Sequence, residues 1–108
     1  MENSPDFRII YVYTDSYENA KQISRILVSE TLAACCSIVQ NMLSVYEWEG
    51  KIEENIEFLL IIKSREDKLE HIEKRINELH GYDVPEIISL PVNSMSGPYM
   101  NWMNEVLG

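Results

Sequence analysis

Apolar positions follow two rhythms along the chain, and the switches between them outline its elements. Phe7 to Thr14, FRIIYVYT, is aromatic and β-branched with almost no polar residue, which predicts a strand covered on both faces. Ala20, Ile23 and Leu27 then recur at helical spacing, and DSYE offers Asp15 or Ser16 as a cap, predicting a helix that runs through Glu30. From Ala34 the rhythm turns to alternation up to Trp48, with a bulge at Gln40 and Asn41. EWEGKIEE reverses the chain at Gly50 and ENIEFLLIIKS returns, so a long β-hairpin is predicted. Ser64, three residues before Asp67, reads as the cap of a second helix, striped by Leu69, Ile72, Ile76 and Leu79 and ended by Gly81 in a left-handed cap. EIISLPV, Glu86 to Val92, is a short strand whose Pro91 suits a sheet edge or strand end. Gly97 and Pro98 open a third helix with Tyr99, Trp102, Met103 and Val106 along one side.

The order strand, helix, strand, strand, helix, strand predicts an α+β fold of the ferredoxin-like βαββαβ kind, with the long hairpin and a C-terminal helix as additions. Both helices then lie on one face of an antiparallel sheet, and the other face should be polar. It is not: Ile9, Tyr11 and Tyr13 alternate with Ile10 and Val12, and FLLII is apolar at every position. Something covers that face, and a second copy of the same chain is the simplest cover, with the C-terminal helix as a partial one. A homo-oligomer is therefore expected.

At 108 residues and 45% hydrophobic composition the chain suits one domain spanning residues 1–108. Asp and Glu number 18 against 9 Lys and Arg, a formal charge of -9 that repels phosphate backbones and argues against nucleic-acid partners. An RNA-recognition module shares the strand order, and Tyr11 and Tyr13 are aromatic, but IEFLLIIK lacks the basic and glycine-aromatic pattern of such modules. MENSPDF has neither a basic leader nor an apolar core, and no stretch is long enough to span a bilayer, so no membrane partner and a cytoplasmic location are expected.

Candidate chemistry starts with the adjacent thiols. Alternation sends Cys35 and Cys36 to opposite faces, and a bridge between neighbours would close a strained ring, so each thiol either packs as a small hydrophobe or holds a soft ion. His80 is the better candidate partner, at a helix end beside HGYDVPE, where Tyr82, Asp83 and Glu86 lie close in sequence; His71 reads as a solvated helix residue. Lys63 ends one apolar strand and Glu86 begins another, so they form either an ion pair at a sheet end or an anion- or metabolite-binding pocket. Tyr46 and Trp48 share a strand face and suit subunit contact, with Trp48 also a ligand-binding candidate alongside Lys63, Tyr82 and Glu86. Glu47, Glu49, Glu53, Glu54 and Glu57 read as a solvated face that blunts the hairpin edge. No nucleophile elbow, P-loop, dinucleotide fingerprint or paired-His zinc motif is present, and no enzymatic activity is expected.

LAAC at Leu32 to Cys35, SVYEWEGKIEE at Ser44 to Glu54, LLIIKS at Leu59 to Ser64 and YDVPEIISLPV at Tyr82 to Val92 together resemble the CutA divalent-cation tolerance proteins over nearly the whole chain. The resemblance implies a ferredoxin-like protomer in a tight homotrimer built by pairing hairpins and sheet edges. That architecture is similar to the nitrogen-regulatory signalling trimers, which bind small effectors between subunits. It also implies binding of copper or another divalent ion, with no obligatory cofactor, through Cys35 as the LAAC thiol and His80. The strand-one position that carries a further Cys in bacterial members is Tyr13 or a neighbour here, Gly81 stands where the family has proline, and Cys36 replaces an aliphatic residue. In function, the reading is a homotrimer that binds a divalent metal or a small anionic ligand at clefts between subunits, in metal tolerance or signalling; the alternative is a structural trimer that anchors or presents a partner protein through its acidic surface.

Overall fold

The computed structural model describes residues 1–108. Its elements are β1 (Glu2–Asn3), β2 (Phe7–Thr14), α1 (Tyr17–Ser29), β3 (Cys35–Trp48), β4 (Lys51–Arg65), a 3-10 turn (Glu66–Lys68), α2 (Leu69–Leu79), β5 (Ile87–Pro91), β6 (Ser94–Met95) and α3 (Gly97–Leu107). Four strands form one antiparallel sheet in the order β3-β4-β2-β5, the ferredoxin-like arrangement. The pairing of β1 with β6 in a separate two-stranded sheet has no counterpart in the hydrophobic pattern.

Local chemistry explains most boundaries. Ser16 caps α1, its Oγ accepting from the Asn19 N–H at 3.0 Å. β3 carries one extra residue between Val39 and Met42, where Asn41 adopts φ 59°, so the expected bulge is present. Glu49 and Gly50 both have positive φ, as a two-residue hairpin turn requires. β5 lies at the sheet edge, where the missing N–H of Pro91 does least harm.

Three expectations fail locally. Ser64 is not a helix cap: it is fully buried in β4, and its Oγ donates to the Leu32 carbonyl at 2.6 Å. Gly81 is not a left-handed cap, because α2 already ends at His80, which turns extended at φ -76°, ψ 145° while its N–H closes on the Ile76 carbonyl. On α3, Trp102 and Val106 face solvent; Met103 and Leu107 are the buried positions.

The core lies between α1, α2 and one face of the sheet, with Ile10, Val12, Leu60 and Ile62 meeting Ile23, Leu27, Ile72 and Ile76. The opposite face carries Ile9, Tyr11, Tyr13, Leu59 and Ile61, paired across β2 and β4. One end of it is covered by α3, through Phe7, Ala34, Met103 and Leu107. Beyond the core the hairpin continues alone, since residues 51–57 of β4 pair only with β3, a ribbon about 23 Å long at the usual strand rise. No helix is long and apolar enough to cross a membrane.

Candidate functional site

Where β2 ends, β5 begins and the hairpin departs, polar groups collect on the open face. Glu57 shares that face with Leu59 and is only 9% exposed. Its Oε2 accepts from the Tyr82 hydroxyl at 2.8 Å. Glu86 directly precedes Ile87, the residue opposite Val12, and so adjoins Tyr13. Burial, and then the Glu57 carboxylate, push Glu86 above the usual carboxylate range. Burial also raises the Tyr13 phenol, with Glu86 and Glu57 adding to it. Tyr82 is held well above the ordinary phenol value by burial first, then by its hydrogen bond to Glu57, then by the negative charge of Glu57 and Asp15. A buried carboxylate, Glu57, gathered at one sheet end with Glu86, Tyr13 and Tyr82, whose titrations are all raised, makes a candidate site.

His80 stands behind this cluster. Its Nε2 donates to the Tyr13 carbonyl at 2.6 Å, and its Nδ1 accepts from the Tyr82 N–H at 3.0 Å. The ring also lies against Tyr82, with centroids 4.7 Å apart.

The structure separates the other residues singled out from the sequence. Tyr82 and Glu86 are together, but Lys63 pairs with Ile9 and Cys35, four residues along β4 from the Leu59–Tyr13 pair, or about 13 Å. Lys63 therefore forms no ion pair with Glu86, and its Nζ lies 5.6 Å from the centre of the Tyr99 ring. The expected Lys63–Glu86 pocket does not form: Lys63 instead borders a mostly apolar hollow with Phe7, Ile9 and Tyr99, and the cluster around Glu57 and Glu86, rich in carboxyls, suits a cation better than an anion. Cys35 shares the Lys63 end, so it is equally remote from His80. Trp48 pairs with Lys51 at the hairpin tip, six residues from Glu57 along β4, or about 20 Å. Both thiols are free and face opposite ways; Cys36 packs against the main core, and burial, with Cys35 adding a little, pushes its thiol up to about 12. The nearby Ser24 hydroxyl, buried and without a hydrogen bond of ordinary geometry, opposes that shift weakly.

The ligand set implied for copper does not assemble within one protomer. Both ring nitrogens of His80 are engaged, and nowhere do three Cys, His, Asp or Glu side chains converge as they would around an ion. Glu57 and Tyr13 were missed as site residues. The available signal was parity together with position, since Glu57 lies on the same strand face as Leu59 and Ile61 and directly adjoins them, whereas Glu53, on that same face, stands further out along the exposed hairpin.

Sheet order, helix placement and this cleft define a ferredoxin-like α+β protein with an acidic, phenol-lined site at a sheet end. Comparison gives the family: residues 8–106 match the model of the CutA1 divalent ion tolerance protein, and the chain belongs to that family. It is similar to the chloroplastic CutA protein of Arabidopsis thaliana, 44% identical over 95 residues that cover 88% of this chain and 52% of that one. It is also 36% identical to the divalent-cation tolerance protein CutA of Thermus thermophilus over 93% of this chain and 97% of that one. Among solved structures, the CutA1 of Oryza sativa superposes with a TM-score of 0.92 at 37% identity, covering 97% of this chain and 96% of the other. The chain spans about half to two thirds the length of the Arabidopsis, Xenopus laevis and rice relatives.

Proposed function

We propose that the chain acts, without catalysis, as a cytoplasmic homotrimer that contributes to metal tolerance by taking up a divalent cation at clefts between copies. The observation that carries this reading is the buried Glu57 carboxylate beside Glu86, two negative groups whose mutual repulsion a cation would relieve. One protomer offers two carboxyls and no third acidic, His or Cys ligand, so the rest of the coordination shell would come from a neighbouring copy. The hairpin is compatible with this arrangement: it carries Trp48 about 20 Å from its own site, where a side chain can serve only a neighbouring copy. Exposed Leu43, Val45, Ile52 and Ile56 share one hairpin face, which a second copy would cover. Oxygen donors favour hard ions; copper would instead call on the Cys35 thiolate at the other end of the open face. A small effector read at the same clefts would give the protein a signalling role.

The test is an anaerobic calorimetric titration of zinc, manganese and copper into the reduced protein, with Glu57→Gln, Glu86→Gln and Cys35→Ser alongside. Saturable binding lost in the two Gln variants supports the cleft. Loss in Cys35→Ser alone moves the site to the thiol, and no binding in any form ends the metal reading. A second reading, a trimer that anchors a partner protein through its acidic hairpin arms, rests on the exposed Glu47, Glu49, Glu53 and Glu54. A pull-down partner lost on charge reversal of those four residues would favour it.

A further inference from the structure

We propose that His80 is a positioning residue rather than a metal ligand: its ring fixes the start of the loop after α2 so that Tyr82 is delivered onto Glu57. The inference rests on the reading of the Glu57–Glu86 cleft as the functional site.

Three bonds define the role. The His80 N–H closes α2 on the Ile76 carbonyl at 2.8 Å, Nε2 meets the Tyr13 carbonyl of β2, and Nδ1 meets the Tyr82 N–H. A carbonyl can only accept and an amide N–H can only donate, so the chemistry admits one form of the ring: neutral, with the proton on Nε2 and the lone pair on Nδ1. In that form no ring lone pair is left for an ion. A metal on Nδ1 would displace the Tyr82 N–H, and one on Nε2 would need that nitrogen stripped of its proton and the bond to β2 broken.

Asn19, bonded to the Leu79 carbonyl and the Thr14 hydroxyl, fixes the end of α2, but past that point only the Tyr82–Glu57 bond and the His80 ring hold the loop. From His80 to Glu86 it has no helix or strand, Val84 is 82% exposed, and a side chain added at Gly81 would meet nothing within 4 Å. The imidazole is therefore the strut between α2, β2 and Tyr82, as the group behind a ligand often is in metal sites. It also explains how this chain has Gly at position 81, a residue that leaves the backbone free, and still places Tyr82.

The test combines ring nitrogen-15 NMR of the full chain with three variants. In the wild type the His80 ring should show a protonated Nε2 and an unprotonated Nδ1, unchanged when zinc is added to saturation, with His71 as the internal reference. His80→Ala should strip the Tyr82 amide of its protection against hydrogen exchange and weaken zinc binding about tenfold, the scale of an outer-shell loss. His80→Asn should restore both, because an Asn side-chain oxygen accepts from the amide two residues on. Tyr82→Phe should weaken zinc binding with the His80 ring signals unmoved. A large zinc-induced shift of either ring nitrogen, or Tyr82 protection equal in wild type and His80→Ala, would overturn the proposal. Absence of zinc binding in the wild type would defeat the cation reading alone, and the tautomer and amide exchange would still decide the role of His80.

Discussion

Single atoms decide most of what the cleft can do. Glu86 illustrates the sign: its folded-state pKa is raised, so the folded protein holds that proton more tightly than the unfolded chain does. Its contribution to stability is therefore present below the ordinary glutamate range and lost as pH rises through the raised value. In chelator-treated protein, Glu86→Gln should melt close to wild type at pH 4 and above it at pH 7; the reverse order would show that the charged Glu86 carboxylate stabilises the fold and would remove the repulsion from Glu57 on which the cation reading rests. The thiols differ in the same way. Cys36, packed against the core with its pKa pushed up to about 12, should resist iodoacetamide in the native state, whereas half-buried Cys35 on the open face should be alkylated first, as peptide mass spectrometry would show. The opposite facing of these two residues was legible from strand alternation alone. The convergence of Glu57 with Tyr82 was not, because position 57 joins residue 82 only through the pairing of β2 with β4 and the path of the loop after α2, neither of which leaves a local trace.

Elements were read more surely than single side chains. The limits of β2, the bulge in β3, the turn at Gly50 and the stripe of α2 all follow from local rules that the sequence obeys, and periodicity alone located them. Ser64 shows where such rules mislead. Three residues before an Asp it resembles a cap, yet a tertiary partner, the Leu32 carbonyl, claims its hydroxyl, and the strand runs one residue further. That bond ties the connection after α1 to the central strand, so Ser64→Ala should cost about 1 kcal/mol by removing a part-buried hydrogen bond. Urea denaturation would measure it, and a change below about 0.5 kcal/mol would mean that water or relaxation replaces the bond. The Lys63–Glu86 pocket failed for a related reason. The sequence shows that each residue stands at a strand end, but only the register shows that the two ends lie at opposite limits of β2.

The protein's shape is uneven, 45 × 25 × 23 Å, and the excess length follows the hairpin. A ribbon with Ile52 73% and Leu43 60% exposed is the surface that the proposed trimer would cover. Ile52→Lys should therefore convert a trimer to a monomer in light scattering at low micromolar concentration while circular dichroism still shows α1 and α2 folded. A wild type that is already monomeric would refute the assembly.

The seven-residue overhang of β4 also has a thermodynamic consequence. Its amides bond only to β3 and lie over no helix, so in an isolated chain this end opens without unfolding the rest. If neighbours clamp it, its opening is governed by mass action: diluting the protein should speed hydrogen exchange at residues 51–57 long before it does so at Leu60 or Ile62, making the hairpin tip a gauge of how many copies are joined.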